Sequence, residues 1–298
     1  MTRFDPLIEG YLDYKKDVNK VAPGTLRDIR CSLNRVMRQM QYVRPDVSLW
    51  QLSFEDYLRY VELERQADAS PRCINKYITH ARGLLEYARR CGRADRNVLE
   101  GFYLQDGERR SPPRSLTLEE AQILIEACEQ ATREQRRDRV IVLLLYGCGL
   151  RTHELCALNV QHISIERREI NVMTAKGDKP RTVPVPDAVY TELLAYLHER
   201  GGKRGPLFRT WVKKTRVSNK DVGRVIRQTV LRAGLSTDIK AKTLRHSFAT
   251  HLMDRGVDLG IIASLMGHRS PQETGVYLHV LPSRKEHAIT TLNPGEAS

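Results

Sequence analysis

The chain has 298 residues, enough for two domains that each bury a core, and carries 49 Lys and Arg against 36 Asp and Glu, for a net charge of +13 and a pI near 9.6. That excess points to a polyanionic partner, and a single basic tail is excluded as its source, since residues 1–110 hold 20 basic and 16 acidic residues and the remainder 29 and 20. The longest apolar run, Val140 to Tyr146, is too short to cross a bilayer, the first residues start no signal-peptide pattern, and the six cysteines form no C-x-x-C pair and no Cys/His cluster at zinc spacing, so a cytoplasmic protein with reduced, core-packed cysteines and no membrane anchor is expected.

The first hundred residues read as all-helical. Phe4, Leu7, Ile8, Tyr11 and Leu12 form one apolar stripe, and Leu26, Ile29, Leu33, Val36, Met37 and Met40 a second at helical period. Phe54 to Leu63 gives a third helix. A fourth opens at Ser70-Pro71, an N-cap followed by proline at the first helical position, and carries Ile74, Tyr77, Ile78, Ala81, Leu84, Leu85 and Ala88 on one face.

Gln105 to Ser115 (QDGERRSPPRS) has charge, glycine and paired proline but no apolar period, which marks a linker. Thr117-x-x-Glu120 is a capping box opening a helix through Cys128, and Arg139 to Tyr146 is apolar nearly all round, the pattern of a helix buried inside a domain. It stops at Gly147-Cys148-Gly149, just ahead of Arg151. From His162 to Val185 the period drops to two, which predicts short strands at His162 to Ile165, Glu169 to Met173 and Arg181 to Val185, with a turn over Lys176 to Pro180 between the last two. Helical patterns return at Asp187 to Glu199, Asn219 to Ala233, Thr243 to Arg255 and Asp258 to Met266. The expected fold is therefore mainly α with a small antiparallel β-sheet in the C-terminal part. Its domains are residues 1–105, a linker at 106–115, residues 116–282 and a tail at 283–298.

The chemistry concentrates late in the chain, where KTLRHSFATHLMDRG is followed by LMGHRSPQETGVYLH. A phenol with a pKa of about 10 is a poor nucleophile at neutral pH, so a reactive tyrosine needs cationic donors around the phosphate that it attacks. Arg245 and His268 precede Tyr277 in that stretch, and Arg151 lies upstream beyond the two glycines.

Four ordered segments carry a resemblance to the tyrosine site-specific recombinases, the phage integrase family: Gly149-Leu150-Arg151-Thr152-His153-Glu154-Leu155, Ala175-Lys176-Gly177, Thr243-Leu244-Arg245-His246-Ser247-Phe248-Ala249-Thr250, and Leu265-Met266-Gly267-His268 with Tyr277 nine residues on. The resemblance implies a helical core-binding domain before the linker and a mixed α+β catalytic domain after it, of the two-domain Xer-like type. It implies Arg151 and Arg245 as phosphate clamps, His268 as a further donor, Lys176 as general acid and Tyr277 as the nucleophile that leaves a 3′-phosphotyrosyl link. No metal or other cofactor is implied, because the cationic side chains take its place. The paired N–H donors of a guanidinium suit the clamp role, which lysine does not reproduce.

Lys242 stands where the family usually has histidine. Type IB topoisomerases resemble this chain in commonly having lysine there, and Lys242 is expected to donate to a phosphate oxygen. The helices at Thr25 to Met40 and Ser70 to Arg90 are the candidates for groove insertion, with Arg27, Arg30, Arg72 and Lys76 as possible DNA contacts. The family implies double-stranded DNA with specific sites as partner, a homotetramer on two paired sites, in some members with partner recombinases, and integration, excision or dimer resolution as outcomes. Two other readings stay open on sequence alone: a topoisomerase-like relaxing enzyme, and a catalytically weak DNA-binding regulator of the same fold.

Overall fold

The computed structural model describes residues 6–45, 47–105, 114–128, 132–173 and 180–267. Its contacts divide the chain into two compact units, Met1–Arg110 and Ser111–Ser298.

The first unit is helical: α1 (Pro6–Asp17), α2 (Pro23–Val43), α3 (Phe54–Gln66) and α4 (Pro71–Arg90). The starts of α3 and α4 follow from capping chemistry. Ser53 and Asp56 satisfy each other's backbone N–H groups, and the Ser70 hydroxyl accepts from the Cys73 N–H ahead of Pro71. The predicted stripes meet in one core that includes Leu33, Val36, Ile74, Ile78, Leu84 and Leu85, all fully buried. Two polar groups are built into it. Asn75 of α4 donates to the Leu104 carbonyl (2.8 Å) and accepts from the Leu104 N–H (2.9 Å), fastening the chain where it leaves this unit. Glu64 of α3 is fully buried beneath Arg35 of α2.

The second unit comprises α5 (Leu118–Glu126), α6 (Arg133–Gly147), α7 (Thr152–Ala157), β1 (Ile163–Ser164), β2 (Glu169–Val172), β3 (Arg181–Pro184), α8 (Asp187–Arg200), α9 (Asn219–Arg232), α10 (Ala241–Asp254) and α11 (Leu259–Met266). The sheet is antiparallel in the order β1-β2-β3, with Ile170 opposite Ile163 on one side and Val183 on the other. α6 runs through the core, with Val140 to Leu145 buried without interruption.

Several elements differ from the sequence expectation. α6 begins six residues before the apolar run, because Thr132 and Gln135 form a capping box and its first turns expose charged side chains that show no apolar period. α7 was not anticipated, and β1 has only two residues. A further antiparallel bridge, Arg209 to Arg216, closes a turn that alternation did not reveal. Cys128 and Cys148 are core residues, as expected, and burial pushes the Cys148 thiol up to about 12. Cys31, Cys73 and Cys91 are instead exposed, since they lie off the apolar stripes of α2 and α4.

Candidate active site

Two local devices bring Arg151 and Arg245 together. Gly149 adopts φ +60°, and a Cβ there would lie 2.4 Å from the Phe248 ring, so only glycine lets α10 pack this close to the turn after α6. Arg245, 7% exposed, then reaches across to donate from Nη1 to the Gly149 carbonyl (2.6 Å) and from Nη2 to the Met266 carbonyl (2.7 Å). α10 is anchored two residues later by Ser247, whose hydroxyl donates to the Thr243 carbonyl (2.9 Å) and accepts from the Leu116 N–H (2.7 Å). The Leu116 carbonyl in turn faces Nε2 of His251 at 2.8 Å, and Nδ1 of that ring lies 2.8 Å from the Tyr146 hydroxyl. His251 is thus a packing residue. Among the described residues no group of three or more potential metal ligands gathers.

Arg151 is the N-cap of α7. Its backbone N–H donates to Oε2 of Glu154 (2.8 Å), and its guanidinium donates from Nη1 to Oε1 of Glu154 (3.2 Å) and from Nη2 to the Gly267 carbonyl (3.0 Å). Glu154 itself has a side chain with no exposed surface. Arg181 of β3, with 8% of its side chain exposed, grips the same carboxylate through Nη1 to Oε1 (2.7 Å) and Nη2 to Oε2 (2.8 Å), and donates from Nε to the Leu265 carbonyl (2.8 Å). Arg245 completes the group, its Nη1 lying 3.9 Å from Glu154 Oε2. One carboxylate therefore organises three arginines from α10, β3 and the start of α7.

Burial works to raise the Glu154 pKa. The Arg181 hydrogen bonds, the Arg151 backbone N–H and the Arg181 and Arg245 charges overcome it and hold the group down at about 2. Gly267, the left-handed cap of α11 at φ +63°, leaves room that a Cβ, 2.7 Å from Arg181 Nη1, would fill, and its backbone carbonyl accepts from Arg151. Guanidiniums fixed by carbonyls and a buried carboxylate keep set donor directions, an arrangement suited to receiving an oxyanion.

Of the residues singled out in the sequence, Arg151 and Arg245 are brought together here. Lys242 is exposed on the first turn of α10. Lys176, His268 and Tyr277 lie outside the described residues, as does the tail at 283–298. Of the DNA-contact candidates, Arg27 and Arg72 are exposed. Arg30 is paired with Glu9 (Nη2 to Oε2, 2.8 Å), and Lys76 lies 3.3 Å from Asp28. Sequence reasoning gave no role to Glu154 or Arg181. An acidic residue three positions after the arginine at a helix start was a signal for the first. For Arg181, a strand residue among many, there was none.

The fixed donors of this cluster suit an oxyanion, and known proteins show which family the chain belongs to. The model of the phage integrase family matches residues 114–284. Tyrosine recombinase XerA of Pyrococcus furiosus is 34% identical over 246 residues, covering 80% of this chain and 80% of that protein, and a tyrosine recombinase of Thermosipho africanus is 32% identical over 97% of this chain and 100% of its own length. The chain therefore belongs to the phage integrase family as a Xer-like tyrosine recombinase, a site-specific enzyme that cleaves and rejoins DNA strands. Solved structures share its fold. The Tn1549 transposon integrase in complex with transposon right end DNA matches with a TM-score of 0.76 at 18% identity, covering 96% of this chain and 99% of that one. A lambda integrase dimer bound to a COC′ core site matches with a TM-score of 0.71 at 15% identity, covering 90% and 94%.

Proposed function

We propose that this recombinase breaks and rejoins double-stranded DNA at specific sites by transesterification through Tyr277. The Tyr277 hydroxyl gives up its proton to solvent and its oxygen bonds to phosphorus as the bond from phosphorus to the 5′ oxygen breaks, leaving a 3′-phosphotyrosyl link. Lys176 protonates the departing oxygen, which becomes a 5′-hydroxyl. Arg151 and Arg245 bind the non-bridging oxygens, His268 adds a donor and Lys242 another. Residues 116–282 form the catalytic domain. Residues 1–105 grip the duplex through α2 and α4, with Arg27, Arg30, Arg72 and Lys76 as contacts, and the linker joins the two. The protein acts in the cytoplasm as a tetramer on paired sites, alone or with a partner recombinase, to integrate, excise or resolve DNA.

The observation that most supports this reading is the gathering of Arg151, Arg181 and Arg245 around the buried Glu154 carboxylate, which fixes the two clamp arginines before any substrate arrives. A suicide substrate nicked near the cleavage point, which traps the covalent species by losing the leaving strand, tests it. A protein–DNA adduct is expected with the unaltered chain and none with Tyr277→Phe. An adduct that persists in Tyr277→Phe, or no adduct on a DNA site that the protein demonstrably binds, overturns it.

A further inference from the structure

The first unit holds a second buried carboxylate clamped by arginine, far along the sequence from the residues of the candidate active site. Glu64 has a side chain with no exposed surface, whereas the Arg35 side chain is 44% exposed. Arg35 Nε donates to both carboxylate oxygens, at 2.9 and 3.1 Å, and its Nη2 donates to Oε2 at 2.8 Å. The guanidinium carbon also sits 5.6 Å from the centre of the Tyr77 ring of α4. Three helices thus fix one guanidinium, and its Nη1 makes no hydrogen bond among the described residues.

Stability alone explains this poorly. Taking a carboxylate out of water costs several kcal/mol, and an apolar side chain of similar volume in place of Glu64 would be as stabilising or more so. What the pair does supply is an arginine whose orientation is set in advance. The pair is also neutral as a whole, so it exerts little long-range pull on phosphates. Exposed Arg27 and Arg72 do that better. A neutral pair with a fixed donor edge suits a base edge instead, since the pairing with Glu64 uses Nε and Nη2 and leaves the Nη1 and Nη2 end to meet two acceptors side by side. In the major groove, guanine O6 and N7 present that pair of acceptors.

We propose that Arg35 reads a guanine in the bound DNA, with Glu64 and Tyr77 as the positioning residues that hold its guanidinium. This rests on the reading that the first unit grips the duplex. The test uses the full-length chain carrying Tyr277→Phe, which binds without cutting. Its preferred duplex is selected from a random pool, and dissociation constants are then measured on that duplex and on every single base-pair variant over a range of salt.

The parent is expected to lose roughly tenfold or more at one G·C position. Adding Arg35→Lys should flatten that position to about twofold, leave the preferences elsewhere intact and leave the salt dependence unchanged. Adding Glu64→Gln should blunt the same position while binding persists, and thermal melting confirms that each variant is folded. Uniform weakening of all sequences by Arg35→Gln, which removes the charge that lysine would keep, with a salt slope smaller by about one, identifies a phosphate contact and overturns the proposal. An unchanged base profile in folded Arg35→Lys overturns it equally. Failure of the parent to select any sequence sinks the DNA-gripping reading and this proposal together, a result separable from the other two.

Discussion

Glu154 keeps its charge in a place where water cannot reach it, so its removal exposes how much of the site depends on it. Glu154→Gln leaves three guanidiniums facing a neutral amide, and a loss of about 3–5 kcal/mol in unfolding free energy at pH 7 is expected. The pH dependence carries its own signature. The carboxyl sits at about 2 in the folded chain against an ordinary 4.5, so its stabilisation is complete above 4.5 and fades as pH falls toward 2. Urea unfolding at pH 7, 5, 4 and 3 should show the gap between the parent and Glu154→Gln closing in that window, by about 2 kcal/mol at pH 3. A gap constant with pH would mean that the charge is not what Glu154 contributes. For Lys242, exposed one turn before Arg245, Lys242→His is expected to retain cleavage and Lys242→Ala to weaken it; an Ala variant as active as the parent would remove Lys242 from the site. Arg151 and Arg245 were legible in the sequence because each sits in a motif with a fixed neighbourhood. Arg181 was not, because its importance comes from a contact with Glu154 across 27 positions of chain, which no local pattern encodes.

At the scale of elements, the turn after α6 decides where α10 can lie. Gly149→Ala would add a carbon 2.4 Å from the Phe248 ring on a backbone at φ +60°, so α10 would have to retreat and Arg245 would lose its bond to the Gly149 carbonyl. A loss of roughly 2 kcal/mol or more in stability is expected, with adduct formation falling in step, as differential scanning calorimetry and the suicide substrate would read. A variant that melts like the parent would show that the turn has slack that the packing denies. The long amphipathic helices were readable because their stripes face a core on one side only. α6 was readable in its apolar half and hidden in its charged half, and α7, six residues long, was too short to show a period. β1 shrank to two residues because only Ile163 and Ser164 find partners on β2.

For the whole molecule the net charge of +13 sets the expected response to salt. Binding that rests on several phosphate contacts should weaken by about a thousandfold between 50 and 200 mM salt. Arg27→Ala and Arg72→Ala should each lower the slope by about one, and Arg30→Ala and Lys76→Ala by less, since those two side chains are already paired with Glu9 and Asp28. Equal effects from all four would show that the internal pairs open on DNA. The break between the two units falls where the sequence loses its apolar period, but the fastening on either side of it was invisible. Asn75 holds Leu104, while Arg114 bonds to Glu120 and Asp238.

Net charge sets what the Glu154 cluster attracts. Three guanidiniums and one carboxylate sum to a surplus of two positive charges. A DNA phosphodiester at rest carries one negative charge, and the five-coordinate state through which it exchanges strands carries two. Under the proposed function Lys176 and Lys242 add to this surplus, so the buried acid trims an attraction that would otherwise hold the resting strand too tightly relative to the state to be crossed.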